Sequence, residues 1–252
     1  MGNIYLFDVD GTLTAPKEKI DNTFAVIFRE WVKGKKVYIV SGGSFSRIIG
    51  QLRTEIVDEC SGVFSCMGNV FYRPKEPPEL PGYSEWERVY QNNFKAPSDL
   101  YKELSSIVAR SSYQVKTGNH YEHRAGMVNF SIVGRNATTE QRKDYAAYDT
   151  IHHEREAIVE HLKNKYDKLD FVIGGAVSID IFNVGNDKAQ VIDRHLEEAL
   201  EKNKIIFVGD RTTFPGNDYS LATALRQHPN GHVVEVKCWN ETAKLLKTEA
   251  FA

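Results

Sequence analysis

Cysteine is scarce in this chain. Cys60, Cys66 and Cys238 are the only three in 252 residues, and their spacings make neither a disulfide framework nor a zinc pattern, so they read as incidental thiols of a reducing compartment. No apolar run approaches the roughly 20 residues that a membrane-spanning helix needs. Neither sign of charge dominates: 32 Lys and Arg face 34 Asp and Glu, a formal net charge of -2. That balance excludes a global basic field for nucleic acid or an anionic membrane and leaves any anion selectivity to local clusters. Met1 to Leu6 shows no basic segment or cleavage site, and Leu6 stands where a myristoylation signal requires Ser or Thr. A cytoplasmic protein with a small-molecule partner, and no nucleic-acid or membrane partner, is expected.

What is present is an ordinary globular composition, 41% hydrophobic and 26% charged, in a length that suits one large α/β domain or two smaller ones. Asn3 to Phe7 reads as a buried strand, followed by a helix capped by Asp21 with Phe24, Ile27, Phe28 and Trp31 on one face. Lys36 to Val40 is a second strand, stopped by Ser41-Gly42-Gly43 and followed by a helix through about Val57. Two βα units in succession favour a parallel sheet. Val63 to Cys66 turns through Met67-Gly68-Asn69 into Val70 to Tyr72 as a hairpin. Trp31, Trp86 and Trp239 read as packing residues rather than sugar platforms.

From Arg73 to Gly82 four prolines among mixed charges have the composition of a linker, and a domain boundary is expected there. Beyond it, strands are expected at Tyr113 to Thr117, Met127 to Val133, Asp170 to Ile173 and Val177 to Phe182, with one long helix over about Thr139 to Lys165. The βα rhythm returns near Asp187, with strands at Lys204 to Val208 and near His232 to Val236. The expected organisation is a core from residues 1–80 and 187–252, with an α+β cap inserted over 81–186.

Ligands of an open α/β sheet sit beyond the carboxyl ends of its strands. Asp8, Ser41 to Ser44 and Asp210 each fall at such an end, so three distant segments are expected to converge. Asp8-Val9-Asp10-Gly11 places two carboxylates two residues apart, which suits one as nucleophile toward phosphorus and the other as general acid and base. A phosphoryl group also calls for a hard cation such as Mg²⁺, for which Asp8 and Asp210 offer carboxylates. In Asp210 to Asp218, Asn217 and Asp218 would hold the loop or the metal's outer partners. Ser41-Gly42-Gly43-Ser44 offers hydroxyls and bare amides to a phosphate, and Lys188 can pair with a phosphoaspartate.

Asp-x-Asp-Gly-Thr-Leu-Thr, the Ser-Gly-Gly-Ser turn, the lysine and the Gly-Asp end together resemble the haloacid dehalogenase superfamily of aspartyl-phosphate enzymes. Within it the chain resembles the eukaryotic-type phosphomannomutases along nearly its whole length. Arg124-Ala125-Gly126-Met127-Val128-Asn129, Gly134-Arg135, Arg142 and Gly174 to Asp180 carry that closer likeness. The resemblance implies a Rossmann-like parallel-sheet core with an inserted α+β cap of the C2b kind. It implies Arg124, Arg135 and Arg142 on the distal phosphate, Ser178 and Asp180 on the sugar hydroxyls, and Mg²⁺ held by Asp8, the carbonyl of Asp10 and Asp210. It further implies mannose 6-phosphate and mannose 1-phosphate interconverted through a hexose bisphosphate, glucose or mannose 1,6-bisphosphate as activator, and a homodimer through the caps. Where the family has an arginine after the first motif this chain has Lys17, and Cys66-Met67-Gly68 replaces Glu-Asn-Gly. A sugar-phosphate phosphatase using the same nucleophile is the competing expectation, and a catalytically silent sugar-phosphate sensor a third.

Overall fold

The computed structural model of the chain describes residues 2–75 and 85–251. In order, the first elements are β1 (Asn3–Phe7), α1 (Asn22–Val32), β2 (Lys36–Val40), α2 (Phe45–Leu52), α3 (Thr54–Val57), β3 (Gly62–Ser65), β4 (Val70–Pro74) and β5 (Trp86–Gln91). There follow α4 (Leu100–Arg110), β6 (Tyr121–Arg124), β7 (Met127–Phe130), α5 (Thr139–His152), α6 (Glu154–Lys165), β8 (Leu169–Gly174) and β9 (Ser178–Asn183). The last are a π-helical turn at Ile192–Leu196, then α7 (Glu197–Lys202), β10 (Lys204–Gly209), α8 (Tyr219–Arg226), β11 (Gly231–Glu235) and α9 (Trp239–Leu245).

Seven strands form one sheet in the order β11-β10-β1-β2-β3-β4-β5, parallel from β11 to β3 and antiparallel at β4 and β5. Because side chains of a strand alternate between faces, β1 feeds two cores. Tyr5 and Phe7 pack with Phe24, Phe28 and Trp31 of α1, whereas Ile4 and Leu6 pack with Leu196, Leu200, Leu221 and Leu225 on the opposite face. Each such fully buried side chain contributes about 1.5–3 kcal/mol relative to exposure. The tryptophans serve packing as expected: Trp31 lies edge-on to Tyr5 at 4.8 Å and donates to the Phe251 carbonyl, and Trp239 stacks on Phe24.

The second sheet is antiparallel, in the order β6-β7-β9-β8. Val128, Phe130, Ile179 and Ile181 face α4, α5 and α6 and close a second core. The alternate positions, Met127, Asn129, Ser178, Asp180 and Phe182, therefore face the other way, where Met127 and Phe182 meet Cys66, Met67 and Val70. Period-two alternation is what places the polar trio Asn129, Ser178 and Asp180 opposite the carboxyl ends of the parallel strands.

The boundary expected at residue 80 lies outside the described residues; β5, which follows that position, pairs with β4 in the larger sheet. Three other expectations are corrected. Tyr113 to Thr117 is not a strand: Tyr113 packs its ring on Tyr145 and Tyr148, and only Thr117 bonds across, to the Val133 carbonyl. The single helix expected over Thr139 to Lys165 is two, broken at His153, which takes a left-handed φ of 52°. The helix after Ser44 likewise breaks at Arg53, φ 73°.

Candidate active site

Asp8 continues β1 by one residue, its amide donating to the Val208 carbonyl at 3.0 Å. The chain then closes on itself, the amides of Thr12, Leu13 and Thr14 all donating to the Val9 carbonyl at 3.2, 2.9 and 3.0 Å, while Val9 and Leu13 are fully buried. Gly11 turns this loop with φ 94°, and a Cβ there would lie 2.3 Å from Asp210 Oδ2. Only glycine lets the β1 and β10 loops approach so closely.

Asp210 follows β10, and the loop returns to Asp218, which precedes α8. Arg211 N donates to Asp218 Oδ2 at 3.1 Å, holding the loop shut. Asp8, Asp210 and Asp218 present carboxylate oxygens that all lie within 4.8 Å of one another. Into this group projects Lys188, wholly buried, its Nζ donating to Asp8 Oδ1 at 2.6 Å and Asp218 Oδ1 at 2.5 Å. Three carboxylates against one buried ammonium, with only a long 3.8 Å contact from Arg211 Nε to Asp210 Oδ2 beside it, leave an excess of negative charge that a divalent cation would balance.

The proton affinities follow. Burial raises Asp8 well above the ordinary carboxylate range, against the opposing pull of Lys188. Burial, then the Asp218 charge, raises Asp210 to about 7. Burial pulls Lys188 down, but the charges of Asp218 and Asp8 outweigh it and its pKa stands above the usual lysine value.

Without metal, the folded chain keeps a proton on Asp210 that the unfolded chain loses near the ordinary value of 3.8. A raised carboxylate makes stability fall as pH rises between the two values, from about 4 to about 7, and a divalent cation that replaces the proton restores most at the upper end. Chelator-treated protein is therefore expected to gain more thermal stability from MgCl₂ at about pH 7.5 than at about pH 5.5. Asp210→Asn should abolish that difference, and equal gains at both pH values in the unaltered protein would contradict the assignment.

Asp10 stands apart from the acid group. Its Oδ1 accepts from the Lys17 amide at 2.6 Å and Gln51 Nε2 at 2.8 Å, and its Oδ2 from Arg47 Nη2 at 3.2 Å. Asp8 and Asp10 both line a cavity of about 390 Å³ between the two sheets. That size is in the range of small-ligand pockets.

The cavity's cations are Lys17 from the loop after β1, Arg47 from α2, and Arg124, Arg142 and Lys143 from the smaller unit, with Arg211 beside Asp210. Lys17, exposed at the mouth and left-handed at φ 66°, has its pKa lowered by partial loss of water and by repulsion from Arg135, Arg142, Arg47 and Arg124. Arg124 is nearly buried: Nε and Nη2 donate to Glu122 at 3.1 and 3.2 Å, and Nη1 reaches the Gly42 carbonyl at 2.7 Å. Arg135 sits behind the wall, donating to Asn129 Oδ1 at 2.5 Å and to Glu122. Among the described residues, Arg142 donates only from Nε, toward the Ala137 carbonyl at 3.3 Å.

Asp180 is buried between the two charge groups, with its pKa raised by burial and then pulled down by Arg124, Asn129, Lys188 and Arg135. Asn129 Nδ2 donates to it at 2.6 Å. Ser178 lines the same wall. Ser44 turns its hydroxyl to Ser46 Oγ at 3.3 Å; the hydroxyl on the cavity wall is that of Ser41, which accepts from the Gly43 amide at 3.1 Å.

Of the residues singled out in the sequence, Asp8, Asp10, Lys17, Arg124, Arg142, Ser178 and Asp180 line one cavity, with Lys188 buried and Asp210 half-buried beside Asp8. Sequence reasoning gave Asp218 only an outer part, although it completes the acid group, and passed over Arg47, Gln51 and Glu122. Arg47 and Gln51 sit four residues apart on one helix face, a spacing that was visible, but nothing local ties them to Asp10.

The profile of the eukaryotic phosphomannomutase family matches residues 24–249. A phosphomannomutase of Dendrobium officinale is 34% identical over 241 residues, covering 92% of this chain and 89% of its own. One from Spinacia oleracea is 34% identical over 233 residues, covering 92% and 90%. Among solved structures, a haloacid dehalogenase-like hydrolase from Bacteroides thetaiotaomicron superposes with a TM-score of 0.56 at 14% identity, covering 98% of this chain and 99% of that one, which bears on fold alone. None of the helices of the described residues is long and apolar enough to cross a membrane. With the parallel core, the second sheet and the acid group at the strand ends in place, a match of this extent means that the chain belongs to the eukaryotic phosphomannomutase family, on the haloacid dehalogenase fold.

Proposed function

We propose that the protein interconverts mannose 6-phosphate and mannose 1-phosphate through an aspartyl phosphate on Asp8 and a hexose 1,6-bisphosphate. The observation that carries this reading is one cavity with the acid group of Asp8, Asp210 and Asp218 around Lys188 at its floor, where a divalent cation would receive a phosphoryl group, and the cations of Lys17, Arg47, Arg124 and Arg142 on its walls, with Asp180 between them.

In the first half, a sugar hydroxyl gives its proton to Asp10 as its oxygen attacks the phosphorus, and the Asp8–phosphorus bond breaks. The bisphosphate turns end for end. Asp8 then attacks the other phosphorus while Asp10 returns its proton to the leaving sugar oxygen. Asp8, the Asp10 carbonyl and Asp210 would hold Mg²⁺, which when bound neutralises phosphoryl oxygens. Lys188, donating to Asp8 Oδ1 at 2.6 Å, opposes the effect of burial and favours the ionised carboxylate. Arg142, whose terminal guanidinium nitrogens meet no acceptor among the described residues, and Arg124, oriented by Glu122, grip the distal phosphate, with Arg135 behind them on Glu122 and Asn129, while Ser178 and Asp180 take sugar hydroxyls. Ser41, with the amides beside it, serves the phosphate at Asp8, and Ser44 sets the start of α2. The unit from about residue 92 to 186 acts as the cap that excludes water from the phosphoaspartate, and caps pair in a homodimer. Glucose or mannose 1,6-bisphosphate primes Asp8, and the cytoplasm, with its reducing poise, suits the three free thiols.

The test is ³¹P NMR of purified protein with Mg²⁺ and mannose 1-phosphate, with and without catalytic glucose 1,6-bisphosphate. Bisphosphate-dependent appearance of mannose 6-phosphate is expected. Free phosphate as the main product would make the enzyme a phosphatase on this scaffold, and no turnover would leave a sensor.

A further inference from the structure

Two of the segments that line the cavity are the first part of α5, with Arg142 and Ala146, and the β8–β9 turn with its flanking strand ends, carrying Gly174, Gly175, Ala176 and Ser178. We propose that the buried Asp149–Arg155 pair is a positioning device for the hexose, setting the spacing between those two segments. The inference rests on the reading that this cavity binds a hexose phosphate.

Arg142, Ala146 and Asp149 stand at i, i+4 and i+7 of α5 and share one face of the helix. The first two line the cavity, and the third carries the acid. Asp149 Oδ1 accepts from the Arg155 amide at 2.8 Å and its Oδ2 from Arg155 Nε at 2.7 Å. The carboxylate thereby caps the start of α6 across the left-handed break at His153. The same guanidinium continues to the turn, where Nη1 donates to the Gly175 carbonyl at 3.2 Å and lies 3.5 Å from that of Ser178. Both side chains are only 9% exposed.

Nothing else in this network needs to be an arginine. Its planar fork can hold a carboxylate on one edge and backbone carbonyls on another, whereas a lysine offers a single point charge. A buried ion pair adds little net stability compared with apolar packing of the same volume, so what the pair supplies is a fixed geometry. The turn is tied to β9 by the ladder, where Gly174 pairs with Ser178, and it lies close against Asp180: a Cβ at Gly174 would be 2.3 Å from Asp180 Oδ2. Asp149 and Arg155 touch no cavity surface themselves, and their action on the sugar is through Arg142 on one side and Ser178 and Asp180 on the other.

The experiment compares the unaltered protein with Arg155→Lys and with the double variant Asp149→Leu/Arg155→Met, which removes both charges and leaves neither stranded. Thermal midpoints, calorimetric Kd for mannose 1-phosphate, and KM and kcat for its conversion are measured on each. The expected result is a double variant that folds, with Kd and KM raised roughly 10-fold or more and kcat at saturation lowered much less, because ground-state positioning is what is lost. Arg155→Lys should fall between the two. Unchanged Kd and KM in a folded double variant would overturn the proposal, as would a fall in kcat with KM constant. If the unaltered protein binds mannose 1-phosphate without converting it, the mutase reading fails while the Kd comparison still decides the role of the pair. If it does not bind at all, both fail.

Discussion

Asp8→Asn is expected to lower hexose-phosphate conversion by at least about 10⁴-fold while leaving the protein folded. Asparagine matches the carboxylate in shape, so the amide of residue 8 still reaches Val208 and the loop can close as before. It cannot act as a nucleophile toward phosphorus, and no neighbouring group substitutes for it: Lys188 is a cation held by Asp218, and the Asp10 carboxylate is held by Arg47 and Gln51. Stability should not fall, since burial already works against the charge on Asp8 and a neutral side chain removes that cost. Conversion followed by ³¹P NMR together with a thermal melt decides the matter. Retention of more than about one hundredth of the activity would remove Asp8 from the role of nucleophile.

Lys188→Met should carry the largest stability effect of any single substitution at the site. The lysine is wholly buried, and its removal leaves Asp8 and Asp218 without the cation that both contact. Stranding buried charge in this way costs about 3–5 kcal/mol. Against a total stability of about 5–15 kcal/mol for a domain, that is enough to unfold a sizeable fraction of the population. The deficit should be smaller at about pH 5 than at about pH 7, because Asp8 and Asp210, both raised by burial, take up protons as pH falls and relieve the repulsion. A divalent cation should offset part of it at neutral pH. Urea denaturation at both pH values, with chelator and with Mg²⁺, measures each of these. Equal stability of the variant and the unaltered protein at neutral pH would show that the acids are not dependent on Lys188.

The core was legible because its strands are short, apolar and buried on both faces. β1 and β2 begin and end at the residues read from the sequence, Asn3–Phe7 and Lys36–Val40. The topology of parallel sheets then brings the loops after β1, β2 and β10 to one edge, which is why Asp8, Ser41 and Asp210 could be placed together without coordinates. The smaller unit was harder. Its apolar residue at Tyr113 packs on a helix rather than in a ladder, and its helix pattern continues across His153 although the backbone does not.

Pairings between distant segments left no periodic trace. Lys188 meets Asp8 across 180 positions and Asp218 across 30, and Arg124 meets Gly42 across 82. Glu122 occupies two arginines that, read as sequence, were free cations. Ser41 rather than Ser44 faces the cavity because Ser44 stands at the N-cap of α2, with its hydroxyl toward Ser46.

The sequence by itself determined the parallel core, the strand-end position of its acids and the family, since local patterning and motif spacing are written along one dimension. Which acids share a cation, which arginines are already engaged and how far apart the cavity walls stand were decided only by the tertiary structure. Those depend on Coulomb and hydrogen-bond contacts of a few ångströms between residues that the chain separates, and only folding brings them within that range.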